Sequence, residues 1–481
     1  MNAPLPSADL AIPPEFLACL DAQRAAFLKA PEPSHAERLA DLKALARLVK
    51  ENRAAIVTAI NSDYGNRSEF ETLFGEVYTV LDGVRDAVKR LKGWMKPRKR
   101  SVDRLTFPGA RNVVIPQPLG VVGVIVPWNF PLMLSLSPLV SIFAAGNRAM
   151  VKMSENSKAL AELLIEVTPK YFPAEKLAFF ADGGGRGPAF SSLPFDHLIF
   201  TGSGATGRAI MANAARNLTP VTLELGGKSP AIVAPDFPIK TAAERILWGK
   251  TFNAGQVCLA VDHVFLPKGA EDGFVDACQR LFMKRYPDIN GPDFTSIIDQ
   301  RSYDRLTAAL EDARAKGARL VNLAEGQSPD PAKRKFPPHL VLNPMPDMEL
   351  MRREIFGPIL PVRLYEDRQE VVDAINAGDR PLAIYPFTNE AETRDFYISR
   401  TLSGGVSVNE PILHVVQHDL PFGGVGASGM GHYHGREGFD TFSKLRPVFQ
   451  QGRISAVQNF LQPPYRGLAN RIVNLIIWMK S

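Results

Sequence analysis

Up to about residue 90 the apolar positions keep helical spacing, and after residue 110 they close up into short runs. Ser34 and Glu37 frame a capping box, followed by Leu39, Leu42, Leu45, Leu48 and Val49 on one face, which predicts an amphipathic helix. Residues 111–115 and 120–126 read as strands, separated by Pro116 and Pro118. Beyond them the pattern alternates: strand at 148–152, helix at 159–169, strand at 176–180, strand at 197–200 and helix at 206–216. Such alternation predicts an α/β chain with a doubly wound parallel sheet, whose strand carboxyl ends usually receive a nucleotide. A second α/β region follows from about 229 to 411, with helices near 242–248, 273–285, 301–316 and 368–377. Residues 422–431 hold too many glycines for a regular helix or strand. The last segment, with Leu468, Ile472, Val473, Leu475, Ile476 and Trp478, is again amphipathic.

Composition narrows the function classes. With 481 residues, 45% of them hydrophobic, the chain reads as globular and long enough for two or more domains. Its longest apolar stretches, 121–126 and 472–479, fall far short of the ~20 residues of a transmembrane helix. Met1 to Ala11 lacks the basic, apolar start of a secretory signal, so a cytoplasmic location is expected. The net charge of +6 is spread along the chain. The one dense run, Lys96 to Arg100 with Arg104, has no interleaved aromatic residues; it reads as a solvated connector, and no nucleic-acid partner is expected.

Cys19, Cys258 and Cys278 are too few and too scattered for a disulfide framework or a paired-thiol metal site. Cys19 and Cys278 sit at helical apolar spacing and read as small buried hydrophobes. His414 and His418 lie four apart, but Pro411 and the glycines beyond exclude an aligning helix, so no metal is expected; His432 and His434 read as structural. Cys258 differs. It closes Asn253-Ala-Gly-Gln-Val-Cys258, a turn-rich break between apolar segments, where Gly255 lets backbone approach closely. A thiol there becomes a nucleophile when its pKa is lowered and substrate reaches it.

Three further segments bear on that thiol. Gly202-Ser-Gly-Ala-Thr-Gly207 follows a strand and opens a helix, offering N–H groups and a dipole to a pyrophosphate. Glu224 stands in an apolar strand ending at Gly226-Gly227, a setting for a desolvated general base; pairing with Lys228 is the competing reading. Pro127-Trp-Asn-Phe-Pro131 ends a strand, and its Asn129 amide is either an oxyanion donor or part of a rigid turn. Asp262 reads as a strand-anchoring hydrogen-bond acceptor.

Taken in chain order, P-W-N-F-P at 127–131, V-K-M-S-E at 151–155, F-T-G-S at 200–203 and L-E-L-G-G-K at 223–228 resemble the aldehyde dehydrogenase superfamily. F-N-A-G-Q-V-C at 252–258, E-I-F-G-P at 354–358 and L-P-F-G-G-V-G-A-S-G-M-G at 420–431 extend the resemblance over nearly the whole chain. The segments L-H-V-V-Q-H-D at 413–419 and H-Y-H-G-R-E-G-F-D-T-F-S at 432–443 are similar to its class-three branch, in particular to bacterial coniferyl aldehyde dehydrogenases. The resemblance implies an NAD(P)-binding domain over 1–105 and 125–228, a catalytic domain over 229–420, bridging oligomerisation segments at 106–124 and 421–450, and an amphipathic tail at 451–481.

It also implies roles. Cys258 would attack the aldehyde carbon, Asn129 and the Cys258 backbone N–H would hold the oxyanion, and Glu224 would activate the hydrolytic water. Lys152 and Glu155 would hold the adenosine ribose, Ser203 and Trp128 the pyrophosphate, Gly183 and Gly187 would leave room for the adenine, and Glu354 and Phe356 would position the nicotinamide ribose and ring. NAD is expected because Glu155 repels a 2′-phosphate, although the branch also accepts NADP. Phe130, Val257 and Phe422 are expected along the substrate funnel; Val257 stands where threonine is frequent, and Met153 where proline is common.

The implied substrate is a hydrophobic aldehyde, either aromatic like coniferyl aldehyde or a medium to long aliphatic one. Acyl transfer to coenzyme A and a non-catalytic role remain as alternatives, against which the set Cys258, Glu224, Asn129 and Lys152 argues. A homodimer is expected, because bridging strands would otherwise expose their edges. The tail, with Arg466, Arg471 and Lys480, either docks on protein, gates the substrate entrance or lies peripherally on a membrane surface.

Overall fold

In the computed structural model, which describes residues 12–104, 106–453, 463, 465 and 467–481, the chain builds three sheets. The first is centred on Val121–Ile125. Arg148–Lys152 and Leu177–Phe180 extend it on one side, His197–Gly202 and Val221–Leu225 on the other, all parallel. Every residue of Val121–Ile125 is buried, as a strand covered on both faces must be, and for that reason it reads as an unbroken apolar run. Strand order reverses beside it, so the carboxyl ends of Val121–Ile125 and His197–Gly202 open a crevice occupied by residues 126–129 and Ser203. Helix Pro131–Ala144, buried along its whole length, packs between this sheet and the helices His35–Glu51 and Thr79–Trp94. The predicted capping box at Ser34 and Glu37 is present.

The second sheet has seven strands in the order Arg319–Asn322, His339–Leu342, Ile359–Tyr365, His263–Pro267, Pro230–Val233, Ala383–Phe387 and Gly405–Val406. Only its first pair is antiparallel. The third sheet is small and antiparallel, made of Arg98–Arg100, Arg111–Pro118 and Ser443–Gln450. Past its first residue, Ser443–Gln450 is exposed throughout.

Segment boundaries differ from the expectation. Residues 106–124 are not one bridging unit: Arg111–Pro118 joins the three-stranded sheet, whereas Val121–Ile125 is the middle of the first sheet. Two apolar runs on either side of a short turn part company there, and apolarity alone does not say to which sheet a run belongs. Arg98–Arg100, expected in the NAD(P)-binding part, also belongs to the small sheet, and of residues 421–450 only Ser443–Gln450 does. Nor is the glycine-rich run wholly irregular. Gly429–Met430 pairs antiparallel with Leu223 and Glu224, an approach open only to glycine because a Cβ on Gly429 would meet the Leu223 carbonyl oxygen at 2.1 Å.

Helix Leu468–Lys480 forms as expected but has no buried residue, and Lys480 pairs with Asp103. Residues 454–462, Arg466 and the segment from Met1 to Ala11 lie outside the described residues. Among the described residues no helix is long and apolar enough to cross a membrane.

Candidate active site

Helix Ile239–Thr251 runs into a tight turn in which Asn253, Ala254 and Gly255 follow one another with φ of +52°, +50° and +72°. Left-handed backbone at two residues that carry a Cβ is costly and persists only where neighbours over-determine it. The neighbours do so. Gln256 Nε2 donates to the carbonyls of Asn253 at 3.0 Å and Ser296 at 3.1 Å, and Gln256 Oε1 accepts the Ile298 N–H at 3.0 Å. A Cβ on Gly255 would fall 2.4 Å from the Gly357 carbonyl oxygen. Cys258 emerges from this turn half-buried, with a free thiol.

Two cavities meet at that thiol. The first is a slot of about 60 Å³ whose walls include Phe74, Phe130, Trp248, Phe252, Val257 and Phe422. The second, about 360 Å³, is lined by Trp128, Ser203, Arg305, Arg353, Glu354 and Phe356. Asn129, Thr201, Glu224 and Leu225 border both, together with Cys258. The three expected catalytic residues and the three expected funnel residues are thus brought to one place.

Glu224 lies on strand Val221–Leu225, is 3% exposed, and neither carboxylate oxygen has a hydrogen-bond partner. Lys228 does not pair with it. The Lys228 ammonium is held by Asp262 and by the carbonyls of Leu350 at 2.8 Å and Arg353 at 3.0 Å. Burial alone therefore pushes the Glu224 carboxyl well above the usual carboxylate range. Asp262 also accepts the Ile355 N–H at 2.9 Å, the anchoring role expected of it.

The thiol corrects an expectation. Instead of being lowered, the Cys258 pKa is pushed up to about 12, by burial first and then by the carboxylates of Glu354 and Glu224; its own N–H and that of Leu259 act in the opposite sense. Glu354 is itself pushed up to about 8, by burial and then by Asp262. Its carboxylate reaches the cavity over Gly226, where a Cβ would sit 1.9 Å from a carboxylate oxygen. Phe356, at φ +48°, meets the Trp128 ring edge-on at 5.4 Å.

Lys152, Glu155, Gly183 and Gly187 do not line either cavity. They gather at the adjoining strand ends, where Lys152 pairs with Asp182 and Glu155 is exposed. A Cβ on Gly187 would meet only the Lys152 ammonium, at 3.9 Å, so space is left beside it. That open space, the helix N-terminus capped by Ser203 and the larger cavity fit a dinucleotide laid across the strand ends. Sequence reasoning missed Asp182, Thr201, Arg305, Phe74 and Trp248. Thr201 and Phe252 were inside quoted motifs and could have been taken as cavity wall; Arg305 stands in helix Gln300–Ala315, where no motif points to it.

Cys278 is buried as expected, whereas Cys19 is only half-buried and accepts a hydrogen bond from Gln23 at 3.8 Å. His418 and His434 pack with ring centroids 6.1 Å apart. Among the described residues no group of three or more His, Cys, Asp or Glu side chains is placed to hold a metal ion.

A profile of the aldehyde dehydrogenase family matches residues 8–448, and the chain belongs to that family of aldehyde-oxidising oxidoreductases. A Pseudomonas aeruginosa protein named a probable coniferyl aldehyde dehydrogenase is 48% identical over 453 residues, 94% of each chain. The coniferyl aldehyde dehydrogenase of another Pseudomonas strain is 43% identical over 461 residues, 95% of each. Among solved structures, Staphylococcus aureus AldH in a substrate-bound state superimposes with a TM-score of 0.89 at 31% identity, over 96% of this chain and 99% of that one.

Proposed function

We propose that the enzyme oxidises an aromatic aldehyde of the coniferyl type to its carboxylate, with NAD as acceptor and NADP as a substitute, through a covalent intermediate on Cys258. The observation that carries this reading is the meeting of the two cavities at one thiol, since an aldehyde in the slot and a nicotinamide in the larger cavity would both reach it. The slot walls support an aromatic substrate over a linear one. Phe130 and Phe252 stack at 5.8 Å, and Trp248 lies 5.4 Å from Phe252, bounding a narrow space suited to a flat ring.

The Cys258 thiol gives up its proton to solvent, Sγ attacks the carbonyl carbon, and the oxygen gathers charge against the Asn129 amide and the Cys258 N–H. The Asn129 amide also donates to the Gln256 carbonyl at 3.2 Å, which fixes its plane and leaves its second hydrogen for the oxyanion. NAD held in the larger cavity would supply the hydride acceptor for the oxidation and positive charge beside the thiol. Lys152 and Glu155 would hold the adenosine ribose, Gly183 and Gly187 the adenine, Ser203 and Trp128 the pyrophosphate, Glu354 and Phe356 the nicotinamide end. Glu224, buried and unpartnered, takes a proton from the water that attacks the thioester; the carbon–sulfur bond breaks and the carboxylate leaves.

A panel of cinnamyl, benzyl and linear aldehydes with NAD and NADP tests the substrate and cofactor class. The cinnamyl type is expected to exceed the linear ones in kcat/KM by about 10-fold or more. A linear aldehyde ahead by that margin would replace the aromatic reading with a medium- or long-chain one. We further read the exposed strand Ser443–Gln450 and the apolar face of Leu468–Lys480, tied by Lys480 to Asp103 beside the same sheet, as covered by a second copy of the chain. Sedimentation velocity giving a dimer supports this; a monomer that co-sediments with anionic liposomes through that helix puts a membrane surface in its place.

A further inference from the structure

A buried ion pair that none of these steps uses grips the backbone around Asn129. Arg67 and Glu76 have no exposed side-chain surface, and Arg67 Nη1 lies 3.5 Å from Glu76 Oε1. Gly65, at φ +75°, ends helix Arg53–Tyr64 and turns the chain, so that Tyr64 and Arg67 reach the same acceptor. Three donors converge on the Asn129 carbonyl oxygen: Arg67 Nη1 at 2.8 Å, Tyr64 Oη at 2.9 Å and Asn253 Nδ2 at 3.1 Å. The guanidinium also lies over the Phe130 ring at 4.7 Å and the Tyr64 ring at 4.8 Å.

Glu76 holds the next residues. It accepts the N–H groups of Leu132 at 2.6 Å and Met133 at 3.1 Å, free donors in the first turn of helix Pro131–Ala144, and so caps that helix from another segment. One ion pair therefore fixes residues 129, 130, 132 and 133. Arg67 Nε and Nη2 have no partner, and a charge buried on those terms is costly; packing alone would be served as well by an apolar side chain. What the charge adds is a defined position for the Asn129 backbone, and hence for its amide.

We propose that Arg67 is a positioning residue for the oxyanion site, setting the Asn129 amide through the Asn129 carbonyl and the Phe130 ring through its own guanidinium face; this rests on the oxyanion reading of Asn129. On that reading, hydrolysis of p-nitrophenyl acetate by the full chain without nicotinamide would draw on the same thiol and the same oxyanion donors. Alkylation of Cys258 by iodoacetamide develops no oxyanion. Arg67→Lys keeps the charge opposite Glu76 but loses the planar fork. It is expected to lower ester hydrolysis and the kcat for aldehydes by about 10- to 100-fold, with alkylation and aldehyde KM changed less than about 3-fold.

In an Asn129→Ala background the same substitution adds no further loss, because the amide it positions is gone. Equal falls in hydrolysis and alkylation, a full extra loss on top of Asn129→Ala, or unchanged hydrolysis in Arg67→Lys would each overturn the proposal. If Asn129→Ala alone leaves ester hydrolysis intact, it is the oxyanion reading that fails. Should Arg67→Lys not fold, Glu76→Gln, which keeps an oxygen for Leu132 and Met133 while removing the countercharge, is put through the same readouts with the same expectations.

Discussion

The two cavities at Cys258 are built by different means. Walls of the slot are side chains sent in from separate segments: Phe74 from the π-helical stretch Leu73–Tyr78, Phe130 from the start of helix Pro131–Ala144, Trp248 from helix Ile239–Thr251 and Phe422 from a loop. The larger cavity is shaped by backbone at strand ends, with Gly226 beneath Glu354 and Phe356 held at positive φ. Side chains are exchangeable one at a time, whereas backbone that must come close is not. Substrate range should therefore be open to change at little cost to cofactor binding, and the reverse should not hold.

The sharpest way to break this contrast is on the cofactor side. Gly226→Ala drives a Cβ to 1.9 Å from a Glu354 oxygen, so the carboxylate must leave. Steady-state kinetics with varied NAD should show the cofactor KM raised by about 10- to 100-fold, with aldehyde KM nearly unchanged. A smaller effect is expected on the slot side. Phe422→Ala removes one aromatic wall, which should raise the KM for cinnamyl aldehydes by about 10-fold and leave the NAD KM alone. If either variant moves both KM values together, the cavities are not independent.

The pH dependence sharpens the comparison further. Because the Cys258 pKa is pushed up to about 12, iodoacetamide alkylation of the cofactor-free enzyme should keep rising with pH toward that value. Each unit below it should cost about tenfold in thiolate. Glu354→Gln removes a cause that raises the thiol pKa and should move the profile to lower pH. A profile that levels off near pH 8 in the unmodified enzyme would contradict this electrostatic account.

Much of the site was legible because its chemistry is concentrated in short segments at strand ends and turns. Asn253 to Cys258, Leu223 to Lys228 and Pro127 to Pro131 each announced a residue that the fold places at the thiol. What stayed hidden depends on partners far away in sequence. Arg67 meets Asn129 across 62 positions, and nothing near Arg67 marks it. The upward push on the thiol pKa stayed hidden for the same reason, since burial in the folded chain causes most of it and the Glu354 and Glu224 carboxylates add to it. Sheet membership of 106–124 was misjudged because adjoining apolar runs entered different sheets.

The central claim is that Glu224 serves the thioester bound in the space shared by both cavities, after the hydride has gone. Its most direct test is rapid mixing of Glu224→Gln with NAD and cinnamaldehyde. The expected result is a burst of NADH of about one per active site, followed by turnover slowed by about 10²- to 10⁴-fold. Full steady-state turnover by this variant, or the absence of any burst, would contradict the account.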